Sequence, residues 1–169
     1  FILFISTREV GKRGYMSWAN IKEIEKYDFV EIGNHSHSHD YLVDFSEKEI
    51  KDDLKKSIKI FKENLGHNSD FFSYPFGEYS LALKKIVIEL GFKYGFGQHS
   101  GVVDFTKDLF EMPRFPINEK YGKLDRFERI IKYLPLQYKS ISQEDKFLKK
   151  SNNPPKMYIE FFNDQKNLD

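Results

Sequence analysis

The chain has 169 residues, enough for one sizeable core, and its net charge of +1 lacks the basic excess of an electrostatic nucleic-acid binder. It has no cysteine, which excludes disulfides and thiolate metal sites, and no apolar run approaches the roughly 20 residues that span a bilayer. Aromatic content is high and mostly Phe and Tyr, a composition shared by sugar-handling proteins and by plain β-rich cores.

Short apolar strands alternate with amphipathic helices, the pattern of βα units around a parallel sheet or barrel. Phe1 to Ser6 reads as a strand already inside a domain, with neither an initiator Met nor a signal core before it, so preceding sequence is expected. Ser17 reads as an N-cap before Trp18, Ile21 and Ile24 at helical spacing, and Phe29 to Ile32 as the next strand. Ser46 and Glu49 form a capping box for a helix whose apolar face is Ile50, Leu54, Ile58, Phe61 and Leu65, ended by Gly66. Phe71 to Tyr74 is a strand stopped by Pro75. A helix through Leu83, Ile86, Val87 and Leu90 ends at Gly91, and Phe92 to Phe96 is a further strand. A last helix is expected over about 124–134, with Phe127, Ile130 and Ile131 facing inward. Residues 139–155 are polar and end in two prolines, the composition of a linker. Met157 to Phe162 then reads as a strand opening a second, β-rich domain over 156–169.

The chemical signal is Gly33-Asn34-His35-Ser36-His37-Ser38-His39, directly after a predicted strand. Three of the five histidines lie here, at the strand end where α/β barrels place their active sites. In an extended segment His35, His37 and His39 would share one face and offer three imidazoles. In a helical turn His35 and His39 would meet at i and i+4 with His37 apart. Gly33 and Asn34 interrupt the strand just before and favour the turn. The alternative is a surface loop that is His-rich by chance.

The segment resembles the His-Ser/Thr-x-x-His metal motif of the NodB-type polysaccharide deacetylases, carbohydrate esterase family 4. Tyr74-Pro75-Phe76-Gly77 is similar to that family's Arg-x-Pro-Tyr-Gly motif. The stretches 97–101 and 112–116 resemble later segments of one of its branches, so the similarity runs from Phe1 to about Asn118. The resemblance implies an incomplete distorted (β/α) barrel over 1–138, followed by the linker and the start of the β domain. It implies hydrolysis of N-acetyl (or O-acetyl) groups on an acetylated polysaccharide, assisted by a divalent metal ion such as zinc. It also implies an extracytoplasmic or cell-envelope location. His35 and His39 match the metal ligands, and Phe76 matches the position whose backbone N–H faces the oxyanion. Tyr74 and Phe76, beside the His motif, are expected to wall the acetyl methyl.

Three departures accompany the resemblance. The family's Thr-Phe-Asp-Asp-Gly motif, source of the third metal ligand and the general base, does not occur in this sequence, so the chain alone is expected to be inactive. Ser73 stands where the family carries an Arg that holds the catalytic Asp, and Arg114 is the candidate replacement. His99, in a Gly-flanked loop, is the only downstream histidine for the general-acid role; its bland reading is a solvent-exposed loop residue. The competing function is a non-catalytic carbohydrate- or metal-binding protein of the same fold. A third option is a different metallohydrolase that uses all three clustered histidines.

Overall fold

The structure, a computed structural model, describes residues 1–142, 148 and 150–162. Its centre is a four-stranded parallel sheet in the order β1 (Ile2–Ile5), β2 (Glu31–Asn34), β3 (Phe71–Ser73), β4 (Tyr94–Phe96). Helices α1 (Trp18–Ile24), α2 (Glu47–Leu65) and α3 (Leu81–Glu89) connect successive strands. Beyond β4 the sheet continues through a parallel bridge between Phe96 and Met112. Among the described residues the strands form an open sheet and do not close into a barrel, and no helix is long and apolar enough to cross a membrane.

The local signals act as expected at the helix ends. Ser17 caps α1 through a capping box with Asn20. Ser46 and Glu49 cap α2 reciprocally, the Ser46 N–H donating to Glu49 Oε2 at 2.8 Å. Gly66 closes α2 at φ +85°, where a side chain would be strained, and its N–H donates to the Lys62 carbonyl at 3.0 Å.

The helices pack on one face of the sheet and build two joined cores. Ile5, Ile21, Val30, Ile32 and Phe61 form one; Leu54, Phe72, Tyr74, Leu83, Ile86 and Val87 anchor the other. Because strand side chains alternate, Phe4, Gly33, Phe71, Ser73, Tyr94 and Phe96 turn to the opposite face. That face is an aromatic layer: Phe71 stacks on Tyr94 at 5.2 Å, and Phe4 reaches Phe96 at 5.4 Å although two strands lie between them. Gly33 permits this reach, since a Cβ there would lie 2.4 Å from Phe4 Cδ1.

Two sequence expectations are corrected, and the last predicted strand is found paired. β2 begins two residues later than expected, and Phe29 instead joins an exposed ring cluster with Phe1 and Tyr27. Helix α4 (Leu124–Ile130) exists but buries no residue: Phe127 and Ile131 are exposed, so its expected inner face is not covered. The strand expected to open a new domain pairs backward. β6 (Ile159–Glu160) lies antiparallel to β5 (Ser140–Ile141), which forms inside the segment expected to be linker. Part of that segment and the end of the expected β domain lie outside the described residues.

Gly33→Ala should push the Phe4 ring off β2 and destabilise the chain by about 1–3 kcal/mol, with Phe4→Leu in the same chain restoring part of the loss. Urea midpoints of the single and double variants measure this. An unchanged midpoint for Gly33→Ala would show that the ring is not held against β2.

Candidate functional site

The site forms where β1, β2 and β3 end together. Residues 34–40 leave β2 as a tight loop rather than a helical turn, with Ser36 at φ +67° and His39 at φ +57°. Left-handed backbone in non-glycine residues costs on the order of 1–3 kcal/mol each and persists only where the surroundings over-determine it. Here they do. The His35 N–H donates to the Ile5 carbonyl, while the Ser36 and His37 carbonyls accept from the Thr7 and Arg8 N–H groups. Ser6 Oγ donates to the His35 carbonyl at 2.8 Å. Asn34 Oδ1 accepts from the Ser36 N–H at 3.0 Å and from Ser57 Oγ of α2 at 3.1 Å. Ser36 Oγ accepts from the His39 N–H at 2.9 Å. The N–H groups of His37 and Ser38 go to the two carboxylate oxygens of Asp53 at 2.8 and 3.0 Å, and that of Asp40 donates to Ser38 Oγ at 3.1 Å.

This backbone brings His35 and His39 together, their ring centroids 4.8 Å apart and nearly perpendicular. His37 turns away and its Nδ1 meets Thr7 Oγ1 at 2.8 Å. Of the two geometries the sequence leaves open, the outer pair therefore meets without the third, although through a left-handed loop. His35 Nδ1 lies 2.7 Å from the Ser73 carbonyl. A carbonyl only accepts, so Nδ1 carries the proton and Nε2 keeps its lone pair. Burial pushes the His35 pKa down to about 4, with the charges of His39 and Arg114 acting in the same direction and the Ser73 carbonyl opposing. His35 is thus a neutral imidazole at physiological pH, the form that ligates metals. His37 is held below its ordinary pKa by burial first and then by Lys56.

A cleft of about 590 Å³ opens beside the pair, lined by Phe4, Ser6, Arg8, Tyr15, Met16 and Ile21 together with His35 and His39. Phe76 flanks His39 with its ring centroid at 4.8 Å and stacks on Tyr41 at 3.9 Å. Its own backbone is left-handed at φ +57°. Arg114 lies over the Phe4 ring, its guanidinium carbon 5.3 Å from the centroid. Arg114 Nε and Ser73 Oγ are both buried without a hydrogen-bond partner among the described residues.

Two expected site residues lie elsewhere. Tyr74 follows Ser73 on the same extended backbone, so the pleat sends its ring to the opposite face. There it is fully buried in the helix-side core and its hydroxyl donates to the Phe110 carbonyl at 3.1 Å, which rules out a wall for the acetyl methyl. His99 is exposed and lines a separate cleft with Lys84, Gln98 and Glu111. Its link to the site is through the backbone, where its carbonyl accepts from the Arg114 N–H at 3.0 Å. Sequence reasoning missed Thr7, Tyr41 and Asp53. Thr7 follows β1 at the same rim as His35, and that placement was the available signal; nothing local in the sequence marks Tyr41 or Asp53.

Two imidazoles suit a borderline divalent ion such as zinc, and the Ser73 carbonyl gives His35 the outer partner that such ligands need. The pair supplies only part of a ligand set. Among the described residues no group of three or more His, Cys, Asp or Glu side chains stands close enough to hold an ion.

The buried neutral His35 sets a pH dependence of stability. Its folded pKa of about 4 lies below the ordinary 6.5, so the folded chain binds fewer protons and loses stability as pH falls from 6.5 towards 4. The loss should reach roughly 3 kcal/mol. Urea unfolding in metal-free buffer at pH 7 and 4.5 should show a larger acid loss for the parent chain than for His35→Gln. Equal losses would contradict the assignment.

Comparison with known proteins extends the picture. A curated protein from Staphylococcus aureus, poly-beta-1,6-N-acetyl-D-glucosamine N-deacetylase, is 28% identical over 142 residues, covering 76% of this chain and 47% of that protein. The chain therefore spans about half the length of the curated relatives it matches. The Streptococcus pyogenes deacetylase PplD, solved in complex with acetate, superposes with a TM-score of 0.69 at 18% identity, over 78% of this chain and 58% of that one. IcaB from Ammonifex degensii gives 0.62 at 23% identity, over 71% and 57%. At such identities these two structures establish a shared fold. The family described as polysaccharide deacetylase matches residues 1–95, more than half of the chain, and the chain belongs to that family.

Proposed function

We propose that this chain supplies the imidazole pair of a metal-dependent N-deacetylase acting on an N-acetylhexosamine polymer such as poly-β-1,6-N-acetylglucosamine. The observation that carries the proposal is the meeting of His35 and His39 in one cleft, with the His35 proton fixed on Nδ1 by the Ser73 carbonyl. The Staphylococcus aureus relative, by its name, supports the substrate class.

In this proposal His35 and His39 hold a divalent ion, zinc by the chemistry of the donors. When bound, such an ion polarises the acetyl carbonyl and acidifies a water. The chain's own groups do the rest. Phe76, fixed in its left-handed conformation between Tyr41 and His39, offers its N–H to the negative oxygen that develops on the carbonyl. Arg114, beside His35 with a buried Nε free of protein acceptors among the described residues, orients a carboxylate that serves as general base. His99 lies outside the cleft and takes no step in this mechanism.

The carboxylates around the loop are already engaged. Asp53 accepts two N–H groups, and Asp40 faces the Arg8 guanidinium at 3.4 Å. The chain alone is therefore expected to release little acetate from N-acetylglucosamine oligomers, since general-base assistance is worth about 10²–10⁴ in rate. Robust release would show that the base is misassigned and would direct attention to Asp40, Asp44 and Asp104.

A polypeptide joining this chain to the family's Asp-Asp motif should release acetate, and His35→Ala or His39→Ala should abolish that release. Arg114→Lys in it should lower turnover roughly 10–100-fold with little change in the urea midpoint, because a lysine has no planar fork. Failure of the joined polypeptide to hydrolyse any N-acetylated oligomer would favour the non-catalytic binding protein. Full activity of the Lys variant would remove Arg114 from the mechanism.

A further inference from the structure

We infer that Asp53, on α2 and remote from the cleft in sequence, is a positioning residue for the His35 and His39 pair. The inference rests on the proposed metal-binding role of that pair.

The loop between the two histidines has to reverse through the left-handed Ser36 and then place His39 in a second left-handed step. Its His35, Ser36 and His37 carbonyls are held by the chain just after β1, through Ser6, Thr7 and Arg8. The N–H groups of His37 and Ser38 point the other way, and both end on Asp53, one oxygen each, at 2.8 and 3.0 Å. One turn along the same helix face, Ser57 holds Asn34, the residue that starts the loop. Helix α2 thus grips the loop at its beginning and its middle, and the region after β1 grips it from the opposite side.

An aspartate is the residue this geometry needs. Two neighbouring N–H donors require two acceptor oxygens on one short side chain, and a carboxylate has them. An asparagine offers one oxygen and turns an NH₂ against the second N–H. A glutamate adds a methylene and moves the carboxylate off a helix that is fixed by its buried Ile50 and Leu54. Without Asp53 two partly buried N–H groups lose their partners. The strained conformations at Ser36 and His39 are then no longer over-determined. The ring of His39 would stay on the protein but lose its fixed place against His35.

The test is zinc binding, measured by equilibrium titration of the chain and its Asp53→Ala and Asp53→Asn variants, with urea unfolding in chelator alongside. The expected result at pH 7 is a zinc affinity weakened roughly 10–100-fold in Asp53→Ala, and an intermediate loss in Asp53→Asn. A residue that matters only for folding would lower the chelator-treated urea midpoint and leave the affinity of the folded protein within about threefold of the parent; that outcome overturns the inference. If both variants fail to fold, amide exchange in the unmodified chain decides: the His37 and Ser38 amides should slow on addition of zinc, and unchanged exchange overturns it. Failure of the parent chain to bind zinc at all would instead overturn the metal-binding role on which the inference rests.

Discussion

A loop that leaves a strand end and turns back within a few residues exposes more backbone donors and acceptors than it can satisfy by itself. In residues 35–40 the N–H groups are satisfied from outside the loop or by its own serines and Asn34. The β1 extension takes the His35, Ser36 and His37 carbonyls, Asp53 takes two N–H groups, and Asn34, Ser36 and Ser38 take three more. This constraint fixes two left-handed residues, and those in turn bring His35 and His39 together while sending His37 to Thr7. The placement of the pair is a property of backbone hydrogen bonding more than of side-chain packing.

The face of the sheet opposite the helices sets the environment into which the pair projects. A glycine in β2 lets the Phe4 ring cross to Phe96, and Arg114 lies on that ring next to His35. An aromatic floor with a cation above it, together with buried Arg114 Nε and Ser73 Oγ that lack partners among the described residues, is an environment that favours an anionic group. The same burial keeps His35 neutral, so one physical cause prepares the imidazole as a ligand and prevents it from competing as a cation.

Much of this was legible in the sequence where the signal is local. Strand alternation, the Ser17 N-cap, the Ser46 and Glu49 capping box and Gly66 placed the helices, and the spacing of the histidines limited the geometry to two choices. What was not legible depends on contacts distant in sequence. Asp53 reads as one more solvated charge on α2, and nothing in its neighbourhood reveals that the His37 and Ser38 N–H groups lie above it. Ser36 and His39 are not residues that advertise a left-handed backbone. Tyr74 is a different case, because the period of two within Ser73-Tyr74 already sends its ring away from Ser73; nearness to the His motif in sequence was given weight that the pleat denies. The pairing of β6 with β5 escaped because a two-residue strand inside a polar segment carries no periodicity.

The central claim is that the outer two histidines form one metal site and the middle one does not take part. Equilibrium dialysis of zinc against the chain and its His35→Ala, His37→Ala and His39→Ala variants tests it most directly. The account predicts one ion per chain, lost in the His35 and His39 variants and retained in the His37 variant. Binding that survives loss of His35 or His39, or that vanishes with His37, would contradict it.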